Sequence, residues 1–221
     1  MKPSSPGTEP PPSTQFRKVS RRRFAPSFIA LASLQLLGCV MLARADYGVE
    51  SRRPLSDPMK ATIENRAVGT WRATLDGKQY YLHAGTGNIV GKSDWMELVL
   101  VHPGEKPSFY VHHKIGFVSA IGGQGYFNVA NLSVQITQLR GSKPEELAAD
   151  VERYDILRYE VNGDTMNIWA ADQKVVKAAI VAGKIKGTGA TIDDSMENLI
   201  RFIESSPPDL WGNKFTYTRV K

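Results

Sequence analysis

The chain has 221 residues, enough for one domain or two small ones, and 42% of them are hydrophobic, which suffices for an ordinary core. Its 28 lysines and arginines outnumber 22 acidic residues, but Lys2, Arg17, Lys18, Arg21, Arg22, Arg23 and Arg44 against Glu9 account for the whole excess. The body after residue 45 therefore carries 21 residues of each sign and no basic stripe with interleaved aromatics, which excludes nucleic acid as the partner that a high pI suggests.

Residues 1–19 are rich in proline and serine, cannot build a core, and read as a disordered extension. Ser20-Arg21-Arg22-Arg23-Phe24 is a charged n-region, followed by an apolar run from Phe28 to Leu42 broken only by Ser33, Gln35 and Gly38. That run suits an export signal and is short for a stable membrane span. The Ser-Arg-Arg-x-Phe pattern also resembles a twin-arginine signal, although Ala25 and Pro26 stand where that motif prefers leucine and lysine. Two processing sites compete. Ala43-Arg44-Ala45 is a small-x-small site that would leave Asp46 as the new N-terminus. Leu36-Leu37-Gly38-Cys39 resembles the lipobox of bacterial lipoproteins, which implies lipidation of Cys39 and a membrane anchor. The lipobox is preferred narrowly, because Cys39 is the only cysteine and sits where a lipobox needs one, although the apolar Val40-Met41-Leu42 after it counts against. Either way the body has no disulfide.

Residues 46–67 read as a tether and a short helix, begun by Asp57-Pro58 and carrying Met59 and Ile63 four apart. From residue 68 onward the chain reads as a single β-rich domain. Gly69–Leu75 and Gln79–His83 pair around Asp76-Gly77, and Asp94–Val101 is a strand rich in large apolar residues. Ser108–Ala120 and Tyr126–Leu139 supply two or three more strands, and Pro144–Val151 a helical turn. Asp155 to Trp169 is the clearest hairpin, with Leu157, Tyr159 and Val161 answered by Met166 and Ile168 across Asn162-Gly163. Two helices follow. Asp172 caps Lys174–Ala182, ended by Gly183, and the second starts near Asp194 with Met196, Leu199, Ile200 and Ile203 on one stripe. Phe215–Val220 is the last strand.

This order predicts a mainly β fold, all-β to α+β, in which an antiparallel meander of about eight strands forms a barrel or strongly curved sheet, with two helices before the last strand. Gly69-Thr70-Trp71 resembles the Gly-x-Trp signature of lipocalin-like β-barrel proteins. The resemblance implies that Trp71 packs across the barrel base, under Arg219 of the closing strand. The leader, the central hairpin and the late helices are also similar to exported bacterial envelope proteins of uncharacterised activity, a likeness that implies a location and no activity.

Motifs with chemical meaning are few. Gly85-Thr86-Gly87 to Gly91-Lys92-Ser93 invites a phosphate-loop reading, but the glycine required five residues before Gly91 is Thr86, and the flanks are strands. His83, His102, His112 and His113 are candidate metal ligands. Adjacent strand residues point to opposite faces, so His112 and His113 cannot share an ion, and half-exposed strand histidines are the default. Asp193-Asp194 reads as a helix start and Glu145-Glu146 as a solvated face. The aromatics Trp71, Tyr80, Tyr81, Trp95, Phe109, Tyr110, Phe127, Tyr159 and Trp169 read as core more readily than as the lining of a ligand cavity. No catalytic residue, metal or cofactor is assigned. The expectation is an exported, periplasmic or lipid-anchored envelope protein with a structural or protein-interaction role. The alternatives are a carrier of a small apolar ligand and, behind it, a hydrolase with an unrecognised site.

Overall fold

The computed structural model describes residues 49–86, 94–104, 108–133, 141–206 and 208–221. In chain order the elements are β1 (Val49–Ser51), β2 (Gly69–Leu75), β3 (Lys78–Gly85), β4 (Met96–Pro103), β5 (Phe109–Ile121), β6 (Gln124–Leu132), α1 (Pro144–Ala149), β7 (Val151–Asn162), β8 (Thr165–Ala170), α2 (Gln173–Val181), β9 (Gly187–Thr188), β10 (Thr191–Ile192), α3 (Met196–Glu204) and β11 (Asn213–Arg219). Strands β2 to β8 pair in sequence, all antiparallel, β11 adds to β8, and its pairing with β2 closes an eight-stranded barrel.

Alternation decides which side chains enter the barrel. Trp71, Leu82, Met96, Leu100, Leu157, Met166 and Tyr217 face inward and are buried in one continuous cluster. Thr70, Arg72, Asn167 and Thr216 alternate with inward neighbours and face out. Apolar-in, polar-out is the reverse of the lipid-facing pattern of transmembrane barrels.

Strands β5, β6 and β7 are buried on both faces, because a second core covers their outer side. Ile115, Phe117, Tyr126, Tyr154 and Ile156 pack there against Leu147 of α1, Val176 of α2, and Leu199, Phe202 and Ile203 of α3. The segment read as a tether belongs to this layer. Val49 and Ser51 are fully buried, and β1 lies between β7 (antiparallel) and β10 (parallel). The short helix expected after Asp57 is a single 3-10 turn, Pro58–Lys60, capped by the Asp57 carboxylate, which accepts from the Met59 N–H.

The buried Asn128 pins this segment to the barrel wall. Its Oδ1 accepts the Leu55 N–H at 2.8 Å, and its Nδ2 donates to Ser119 Oγ at 2.8 Å. Asn128→Ala would strand that N–H in an apolar layer, and an unmade buried bond costs about 1–3 kcal/mol. Urea unfolding should show a loss in that range, against a change below about 0.5 kcal/mol for the exposed Val181→Ala.

Other boundaries shift by small amounts. Asn162 pairs with Thr165, so the two loop residues of the central hairpin are Gly163 and Asp164, not Asn162 and Gly163. Only Gly163 has a positive φ (57°), the signature of a turn with glycine in the first loop position. The cap of α3 is Ser195, whose Oγ accepts the Asn198 N–H, while Asp194 accepts from Lys186, Ser195 and Asn198. The two helices expected before the last strand are α2 and α3, and the helical turn expected at Pro144–Val151 forms α1 between β6 and β7. The part of the Tyr126–Leu139 expectation beyond Ser133 lies outside the described residues.

Candidate functional site at the barrel mouth

The two barrel ends differ in chemistry. At the base, the Trp71 Nε1–H donates to Ala67 O at 2.8 Å, and the Arg219 guanidinium lies 4.1 Å above the indole centroid. Arg219 also donates to Val68 O (2.7 Å) and Arg66 O (2.6 Å). A Cβ on Gly69, at φ 140°, would collide with the Arg219 guanidinium. Gly163 and Asp164 turn the chain at this same end. The base is a structural plug.

The opposite end, the mouth, carries polar groups on the lumen face. Lys114 shares its side of β5 with Gly116 and Val118, and Asp155 shares its side of β7 with Leu157 and Tyr159. Between them stands Asn131 on β6, whose Oδ1 accepts the Lys114 ammonium at 2.8 Å. Burial pushes the Asp155 carboxyl up to about 6, an effect that the Asn131 amide and the Lys114 and Arg153 cations only partly offset, while Glu50 adds to it. Asp155 Oδ1, Asn131 Nδ2 and Arg153 Nε have no hydrogen-bond partner. Buried polar atoms without partners, gathered at one place, make this cluster a candidate site.

Arg153 and Glu50 connect this cluster to the surface. Arg153 Nη1 lies 3.6 Å from Glu50 Oε2, which also accepts the Thr191 hydroxyl at 2.9 Å. Outside them is an open cleft of about 570 Å³ lined by Arg52, Glu152, Arg153, Thr188, Thr191 and Asp193, with Arg52 and Asp193 at 3.6 Å. Mixed charge and open shape suit a polar surface rather than an apolar cargo.

On the other side of the mouth, His102 Nε2 meets His112 Nε2 at 3.1 Å, with Tyr80 and Tyr110 beside His102. The remaining histidines face outward: His113 Nε2 contacts Glu97 at 3.2 Å, and His83 bonds Thr70. Phe109, Tyr110 and Val111 stand at the rim, 69%, 51% and 63% exposed, three consecutive apolar side chains in water.

The other sequence candidates do not assemble into a site. Cys39 and Ala45 lie outside the described residues, as do residues 87–93 of the glycine-rich segment, whose flanks are β3 and β4. Glu145 and Glu146 sit in the first turn of α1. Of the aromatics, Tyr80, Phe127 and Tyr159 fill the lumen with Trp71, Trp95 packs on Phe117 in the outer core, and Trp169 lies outside under Arg158 and Lys214. Sequence reasoning missed Lys114, Asn131, Asp155, Arg153 and Glu50. The available signal was a lysine and an aspartate in phase with apolar inward positions. No family model, characterised protein or solved structure matches the chain.

Proposed function

We propose that the protein is an exported β-barrel of the bacterial-type cell envelope, without a catalytic role, that engages a protein partner at its mouth. One observation carries the reading. The lumen is filled by the barrel's own side chains, so recognition moves to the rim, where Phe109, Tyr110 and Val111 are exposed across the mouth from a charged cleft. The leader at 20–45 and a body of zero net charge support the location.

A photo-crosslinking residue at Tyr110 or Val111, introduced in cells, should capture a defined protein, whereas the same residue at Val181 on α2, 89% exposed, should not. Equal capture at both positions, or none at the rim, defeats the proposal. Native mass spectrometry of the extracted protein reads the N-terminus at the same time, an acylated Cys39 or a plain Asp46. A small non-covalent mass that survives purification would favour the second reading, a lipocalin-like carrier. The charged cleft would then be where its cargo sits, and that cargo would be polar.

A further inference from the structure

We propose that His102 and His112 form a two-imidazole site for a borderline divalent cation, Zn²⁺, Ni²⁺ or Cu²⁺, at the barrel mouth. This does not depend on the partner reading above. The two residues are diagonal neighbours across β4 and β5, since Leu100 pairs with His112 and His102 with Tyr110. Both therefore project to the lumen face, which sequence spacing on either strand alone does not reveal.

The hydrogen bonds present a lone pair. His102 Nδ1 lies 3.2 Å from Pro103 O, a carbonyl that can only accept, so the proton sits on Nδ1 and the Nε2 lone pair points at His112. An Nδ1–H held by a backbone carbonyl is the usual way a metal-ligating histidine is oriented. Without an ion, His112 donates its Nε2–H to that lone pair across 3.1 Å. With one, the His112 proton moves to Nδ1 and both Nε2 atoms become ligands. Two nitrogens on one tetrahedral Zn²⁺ stand about 3.3 Å apart. The two rings lie parallel and head to head, so their lone pairs converge on one ion only after the half-buried His112 ring rotates off the line between them.

The Lys114 ammonium on the same face is directed to Asn131 Oδ1. Among the described residues no group of three His, Cys, Asp or Glu side chains could hold a metal, and in the proposed site water completes the coordination. A ligand set of imidazole and water selects borderline cations over Mg²⁺ and Ca²⁺.

The test is calorimetric titration of chelator-treated full-length protein with ZnCl₂, NiCl₂ and CuCl₂ at neutral pH. The expected result is one saturable ion per chain, with His112→Gln and His102→Ala each weakening it by about tenfold or more. His83→Ala and His113→Ala, on the outer face, should leave the affinity unchanged. Because His102 is buried, the imidazole ¹⁵N resonances of His102 and His112 in the unmutated protein provide a second readout, and both should shift on saturation. The proposal is overturned by absence of saturable binding, by unchanged affinity in His112→Gln, or by loss in His113→Ala, which would place the ion on the His113–Glu97 pair.

Discussion

Replacing Trp71 with alanine should lower the unfolding free energy by about 3–5 kcal/mol, the range for deleting a fully buried large aromatic. The location raises the stake. Barrel closure rests on the β11–β2 seam, where only Thr218–Arg72 and Arg219–Trp71 are paired residues, extended by Val220 N–H donating to Thr70 O at 2.8 Å. Every other seam of the barrel is longer. Trp71 fills the space beneath that short seam, and Arg219 ties it to the 66–68 segment by stacking on the indole while donating to two carbonyls. Arg219→Lys keeps the charge but loses the planar fork, so about 1–2 kcal/mol should go with it. The Trp71/Arg219 double-mutant cycle should return a coupling of about 0.5–1 kcal/mol or more. Urea denaturation followed by tryptophan-independent circular dichroism measures all three. A loss under about 1 kcal/mol for Trp71→Ala would mean that the seam holds without its plug.

Much of this barrel is written in period-two alternation and in its turns. Asp76-Gly77, Gly122-Gly123 and the turn at Gly163 each join neighbouring strands, and such turns leave few topologies other than a meander. The helices α2 and α3 were legible for the same local reason, a cap and an apolar stripe. What could not be read depends on distant partners. Val49–Ser51 is too short to show a period, and it is a strand only because β7 outruns β8 and leaves an open edge for it. The turn after Asp57 stops at Lys60 because Ala61 is extended (φ −53°, ψ 146°) and Thr62 bridges to Val118. The mouth needed the register as well as the alternation. His102 and His112 meet only because Leu100 pairs with His112, and Lys114, Asn131 and Asp155 align only across three strands. A polar residue in phase with apolar ones was the part of the site that the chain did display. Its meaning as a cluster required the fold.

Asp155 gives the second large effect, and its sign is opposite to that of a salt-bridged carboxylate. In the fold its pKa is raised from the ordinary 3.8 to about 6, chiefly by burial, so between those values the native state holds a proton that the unfolded chain has released. Its contribution is fully present below pH 3.8 and is lost as pH rises through about 6. The difference corresponds to about 3 kcal/mol once the carboxyl is ionised in both states. Asp155→Asn keeps the shape and removes the charge, so it should stabilise the protein by up to about 3 kcal/mol at pH 8 and by little at pH 4. Its extra amide N–H groups face the same cluster that holds Lys114 and Arg153, which will trim the gain. Urea midpoints of both proteins from pH 4 to 8 measure this, with the gap opening between about pH 4 and pH 6. A gap that stays constant with pH would show that the carboxylate is solvated or firmly paired. A gap that opens as described would identify Asp155 as a charge the barrel keeps at a cost to its own stability. Such a charge would suit the partner proposed above if that partner brings a cationic group to the mouth.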